Sequence, residues 1–204
     1  MKLLLTSAGF ENKNVKAAFL EIIHKPLSEL KLIFIPTASR FKEEIVYVQK
    51  SKEELLSFGI LEKNIKTVHL DHKISYNKVK DYDCVYVCGG NTFYLLDQIR
   101  KTGFDKILKD YLKEDKCYVG VSAGSIIMSP DISIAGIGET GDENDVGLKD
   151  VRGLHFIDVI LTPHYVESEK KFIEEYRKKS KYKLITLTDK QAFLVIDNKT
   201  KIIN

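Results

Sequence analysis

Short apolar runs punctuate the first 121 residues: Leu3-Leu4-Leu5, Leu32-Ile33-Phe34-Ile35, Thr67-Val68-His69-Leu70, Val85-Tyr86-Val87-Cys88 and Tyr118-Val119-Gly120-Val121. They are apolar at consecutive rather than alternate positions, as strands covered on both faces are. Between them Val15, Ala18, Phe19, Ile22 and Ile23 recur with a helical period, Glu43 to Phe58 predicts a second helix, and Thr92 to Asp115 predicts one or two more. Strand and helix in strict alternation imply crossover connections and parallel pairing. The predicted fold is therefore α/β, a doubly wound and mostly parallel sheet with flanking helices. In such sheets ligands bind outside the carboxyl ends of the strands, where the turns after Cys88 and Val121 emerge.

Beyond Pro130 the helical signal stops, and Asp131 to Arg152, rich in Gly, Asp and Glu without a period, reads as a long loop. A strand from Ile157 to Leu161 leads into Thr162-Pro163-His164, a helix follows from about Ser168 to Lys181, and Leu184 to Ile203 reads as short strands around a turn at Asp197-Asn198-Lys199. There is no internal repeat, low-complexity tract or interdomain linker, so residues 1–204 are expected to form a single α/β domain.

Composition narrows the partners. Hydrophobic residues at 44% and charged ones at 30% describe an ordinary globular protein, and a net charge of +3 with no basic stripe argues against nucleic acid. The run Met1 to Thr6 is too short for a signal peptide, and no stretch approaches the roughly 18 consecutive apolar residues of a membrane span, so a cytoplasmic location without membrane contact is expected. Cys84, Cys88 and Cys117 are odd in number and sit in apolar segments, which suits reduced thiols buried as small hydrophobes.

Candidate chemistry begins at Gly120-Val121-Ser122-Ala123-Gly124, directly behind the apolar run Cys117-Tyr118-Val119. The Gly-x-Ser-x-Gly spacing turns a strand sharply into a helix with one hydroxyl at the bend, and leaves the Ala123 N–H free to meet a developing oxyanion. The same five residues also make a purely structural turn, and the spacing alone leaves both readings open. Cys88-Gly89-Gly90-Asn91-Thr92 likewise follows a strand and opens a helix, so Gly90 can complete an oxyanion hole, with Asn91 and Thr92 assigned to substrate binding. It lacks the Gly-x-Gly-x-x-Gly or Gly-Lys-Ser/Thr of nucleotide sites. Of the five histidines, His24, His69, His72 and His155 have no neighbouring signature. His164 stands apart because Pro163 fixes the chain just after a strand end, on the rim that Ser122 would share if the sheet is parallel there.

Gly89-Gly90-Asn91-Thr92-Phe93, Gly120-Val121-Ser122-Ala123-Gly124 and Thr162-Pro163-His164-Tyr165 together resemble, in order and spacing across nearly the whole chain, the motif series of the peptidase E (aspartyl dipeptidase) family of serine peptidases, related to cyanophycinases. The resemblance implies a class I glutamine amidotransferase-like fold with serine in place of cysteine, and a Ser-His-acid triad that includes Ser122 and His164. The family's acid stands in a Leu-Pro-Glu-Gly-Asn-like turn, and the matching position is Asp189 in Leu187-Thr188-Asp189-Lys190-Gln191-Ala192. The chain order Ser, His, Asp differs from the Ser, Asp, His order of α/β-hydrolases.

The expected activity is hydrolysis of dipeptides or short peptides with no metal or organic cofactor. A serine esterase or amidase, or a degenerate small-molecule binding domain, is the alternative, and a homodimer is possible. The relatives' arginine-rich segment after the Pro-His motif is absent: Glu167 to Tyr176 contains no arginine, which predicts no strict preference for N-terminal Asp. Glu139, Asp142, Glu143, Asp145 and Asp150 lack calcium-loop spacing and read as a solvated acidic loop.

Overall fold

A computed structural model describes residues 1–204. Five strands, β1 (Lys2–Thr6), β2 (Leu32–Ile35), β3 (Ile65–Thr67), β4 (Cys84–Val87) and β5 (Cys117–Val121), pair in parallel in the order β3-β2-β4-β5-β1. The sheet then continues antiparallel through β8 (Ala192–Ile196) and β9 (Lys199–Ile203), giving seven strands. The sheet is thus mostly parallel, with the antiparallel pair at the edge beyond β1. A separate parallel pair, β6 (Val159–Thr162) and β7 (Lys183–Thr186), stands outside it.

Strand geometry sends successive side chains to opposite faces, and each face has its own core. Leu3, Leu5, Ile33, Ile35, Val85 and Val87 join one; Leu4, Leu32, Phe34, Cys84, Tyr86 and Val119 join the other. The consecutive apolar positions of the sequence are the signature of this double coverage. On the second face lies α1 (Lys13–Ile22), whose N-terminus is capped by the Asn12 side chain accepting from the Asn14 N–H at 2.8 Å. Its buried stripe of Val15, Ala18, Phe19 and Ile22 supplies the contact, and a fully buried ring such as Phe19 contributes about 2–3 kcal/mol of transfer free energy. The first face is covered by α3 (Thr92–Thr102) and α4 (Phe104–Tyr111), separated by Gly103 in the left-handed region at φ 75°.

The remaining helices are α2 (Lys42–Ser57), the short α5 (Ala123–Ile126) and α6 (Lys170–Lys179). No helix is long and apolar enough to cross a membrane. Cys84, Cys88 and Cys117 are buried and free.

Two expectations shift. The third strand ends at Thr67 rather than running to Leu70, because β3 is an edge strand and its chain leaves the ladder once the Leu70 N–H finds the Thr37 hydroxyl at 2.9 Å. The strand before His164 does not belong to the main sheet at all, so the argument that a shared parallel rim brings it to Ser122 is corrected: β6 pairs only with β7.

Candidate active site

Ser122 sits at the end of β5 with φ 50° and ψ −111°, a conformation that costs a non-glycine residue about 1–3 kcal/mol and persists only where its surroundings enforce it. Enforcement comes from close backbone packing. A Cβ on Gly120 would stand 2.5 Å from the Gly124 carbonyl oxygen, and one on Gly124 would stand 2.5 Å from that of Val87. The Ser122 N–H donates to Thr6 O at 3.1 Å, and the buried Ser125 hydroxyl donates toward Thr6 O and Gly120 O at 2.8 and 2.9 Å. Strand end, turn and the start of α5 at Gly124 and Ser125 are therefore locked to β1 and β4. Ala123, as the first residue of α5, has an N–H with no intrahelical partner.

The Gly89-Gly90 turn leaves β4 alongside. Gly90 has φ 129° and packs so closely on the chain at Ala38 that a Cβ would lie 2.3 Å from the Ala38 carbonyl, while a Cβ on Gly89 would lie 3.1 Å from that of Ser122. Gly90 and Ser122 both line one cavity of about 460 Å³.

Across that cavity the imidazole of His164 places Nε2 at 2.9 Å from Ser122 Oγ and Nδ1 at 2.6 Å from Asp189 Oδ1. An ionised carboxylate only accepts, so in the neutral ring Nδ1 carries the hydrogen toward Asp189 and Nε2 is left to accept from the hydroxyl. The structure thus brings together the three residues on which the sequence converged. The means differ from expectation. His164 follows β6 and Asp189 follows β7; Thr162 is the register partner of Thr186, so two parallel strands deliver both side chains at one end. The Leu187 N–H donates to Thr162 O and the Tyr165 N–H to Leu187 O, which ties the two exits together.

Ser7 carries no sequence signal and joins the site through the tertiary fold. Its hydroxyl accepts from the His164 N–H at 2.8 Å and donates to Asp189 Oδ1 at 2.9 Å, so one buried side chain braces both groups. His164 itself has φ 59°. His155 lies elsewhere, with Nε2 2.9 Å from Asp158.

Asn91 and Thr92, expected at the substrate, are engaged by the scaffold in this structure. The Asn91 side chain caps α3 by accepting from the Tyr94 N–H at 2.9 Å and ties down the long loop by donating to Glu143 O at 2.8 Å. Thr92 is fully buried, and neither residue lines the cavity. The solvated reading of the acidic loop fails at Asp142. Its Oδ2 accepts from the Thr92 N–H at 2.8 Å, at the start of α3, and the half-buried carboxyl lines the cavity. Burial pushes its pKa up, assisted by Glu44, against opposing pulls from Thr92 and His164. The four other acids of that stretch do not line the cavity.

Comparison with known proteins now identifies the lineage. The family model for Peptidase family S51 matches residues 3–203. The chain belongs to peptidase family S51. An uncharacterised peptidase of Listeria innocua is 32% identical over 100% of this chain and 98% of its own. A Peptidase E of Shewanella amazonensis is 31% identical over 66% of this chain and 54% of its own. A crystal structure of a Peptidase E candidate from Listeria monocytogenes superposes with a TM-score of 0.79 at 30% identity, covering 98% of this chain and 96% of that one. Family S51 membership makes this chain a peptidase hydrolase of the serine class, with the mixed α/β fold described above.

Proposed function

We propose that this S51 member hydrolyses dipeptides or short peptides through a triad of Ser122, His164 and Asp189. The observation that carries the reading is the continuous chain of hydrogen bonds, 2.9 Å from hydroxyl to imidazole and 2.6 Å from imidazole to carboxylate, opening on a cavity that also holds the Gly90 turn. Ser122 Oγ attacks the scissile carbonyl carbon while its proton passes to His164 Nε2. The N–H groups of Gly90 and Ala123 stabilise the oxyanion. Collapse of the tetrahedral species breaks the C–N bond, with His164 returning the proton to the leaving amine. Water then cleaves the acyl-serine by the same proton path, and the Asp189 carboxylate orients the ring and stabilises its cation throughout.

The turn at Ser122 supports the nucleophile's role. Its strained backbone sets the hydroxyl at the carboxyl end of β5, facing the cavity, and the strain is held by packing that exists without substrate. The exposed side chains of His164 and Asp189, 50% and 55% accessible, leave the site open to a small peptide. Mass spectrometry after treatment with a fluorophosphonate is expected to find one adduct on Ser122 that is absent from Ser122→Ala. That variant should lose on the order of 10⁴-fold or more in kcat on a dipeptide panel while remaining folded. Undiminished turnover by folded Ser122→Ala would overturn the mechanism.

A further inference from the structure

The Gly89-Gly90 turn offers the site a donor whose aim its own two residues do not fix. Rotation of the peptide plane between them turns only two dihedrals, ψ of Gly89 and φ of Gly90, and neither residue has a Cβ to resist it. Gly90 stands at φ 129°. Half a turn of the plane would carry it to a negative φ, where a glycine backbone is equally at ease. The two orientations differ in sign. In a trans peptide the carbonyl and the N–H point in opposite directions, and every peptide bond of this chain is trans. One orientation therefore presents the Gly90 N–H to a given side of the plane. The other presents the Gly89 carbonyl oxygen there, which would repel an oxyanion.

Ser39, on the segment that leaves β2, decides between them. Its hydroxyl donates to the Gly89 carbonyl oxygen at 2.8 Å. That bond holds the oxygen on the Ser39 side of the plane and turns the Gly90 N–H away from it. The N–H meets no backbone acceptor, and Gly90 lines the cavity that contains Ser122. The same segment fixes the rest of the turn: the Asn91 N–H donates to Ala38 O at 3.0 Å, and Gly90 lies against the Ala38 carbonyl. Ser39 is itself anchored, its N–H donating to Pro36 O at 3.0 Å. Gly89 also lies against the nucleophile, where a Cβ would stand 3.7 Å from Ser122 Oγ. The other donor of the oxyanion hole, the Ala123 N–H, needs no such lock, because its direction follows from the backbone-packed turn that opens α5.

We infer that Ser39 is a positioning residue for catalysis: its hydroxyl locks the Gly89-Gly90 peptide with the Gly90 N–H toward the oxyanion that forms at Ser122. The inference rests on the Ser122 mechanism proposed above and adds to it a residue that makes and breaks no bond. Losing an oxyanion donor outright costs about 10²-fold to 10³-fold in kcat. A half-buried carbonyl deprived of its donor shifts the balance of such a plane by roughly tenfold, so Ser39→Ala should slow the reaction about tenfold. The experiment follows phosphonylation by a fluorophosphonate, in which Ser122 Oγ bonds to phosphorus, fluoride leaves and the proton passes to His164. In Ser39→Ala the rate should fall about tenfold at every pH, with the shape and midpoint of the pH profile kept, because the Ser122–His164–Asp189 hydrogen bonds are untouched. Exhaustive labelling should still reach one adduct per chain, which counts folded sites. On the dipeptide panel kcat should fall by a similar factor with KM unchanged, and Ser39→Thr, which keeps the hydroxyl, should restore both rates. A merely structural role would lower the count of labelled sites and leave the rate per site in place. A wild-type rate per site in Ser39→Ala, a displaced pH midpoint, or a Ser39→Thr protein as slow as Ser39→Ala overturns the inference and spares the triad. Failure of the unaltered protein to label at Ser122 overturns the triad and the inference together.

Discussion

The two halves of the site are held by different physics. Ser122 stands at the carboxyl end of β5, the middle strand of the seven-stranded sheet, in a turn fixed by backbone against backbone, where Gly120, Gly124 and the ends of β1 and β4 leave no room for a methyl group. His164 and Asp189 stand on a two-stranded sheet outside it, half exposed, and are fixed by side-chain hydrogen bonds through Ser7. Packing gives a position that does not titrate and does not depend on solvent; hydrogen bonds give one that a single atom can loosen. A nucleophile tolerates the first kind of support well. A base whose ring must be held in one tautomer by a carboxylate depends on the second.

The difference can be broken from the polar side first. Asp189→Ala should lower kcat by roughly 10³-fold to 10⁴-fold while thermal unfolding moves little, because the lost carboxylate is exposed and its partner ring stays on β6. Steady-state kinetics and a melting curve on one preparation check both halves of that statement. Gly124→Ala acts on the other side. The new methyl would meet the Val87 carbonyl at 2.5 Å inside the core, so stability should fall by about 3 kcal/mol or more in denaturant titration, with activity following the folded fraction.

Ser7→Ala probes the brace between the halves. It removes a buried hydroxyl that serves the His164 N–H and Asp189 at once, and should cost about 1–2 kcal/mol in stability. A loss of about tenfold confined to kcat, with KM unchanged, would mark Ser7 as a positioning residue; equal kcat in the variant would show that Asp189 holds the ring without it.

The smallest effect concerns Asp142. Its folded pKa is raised chiefly by burial, so the folded state binds the proton more tightly than the unfolded chain does. Stability on this account is greatest below the unfolded pKa and declines as pH rises through the raised folded value. Asp142→Asn should flatten that acid limb of the stability curve. An unaltered limb would mean that another carboxyl, Glu54 foremost, sets it.

Much of this architecture is written locally. Consecutive apolar positions announce strands covered on both faces, because a core on either side leaves no place for a polar residue. The Ser122 turn is equally legible, since only glycines fit where Gly120 and Gly124 pass within contact of carbonyl oxygens, and the chemistry of such a turn depends on five adjacent residues. Pro163-His164 and the Asp189 turn are visible as strand endings. Tertiary structure alone decided the rest. It placed β6 and β7 in a sheet of their own, and it turned Asp142 from a loop charge into a half-buried cap. It enlisted Ser7 across 182 residues of chain, and it laid one acidic face of α2 along the cavity. The reason is range: periodicity and turn chemistry are set by neighbours a few residues apart, whereas the partner of a hydroxyl or carboxylate is whatever the folded chain brings within about 3 Å.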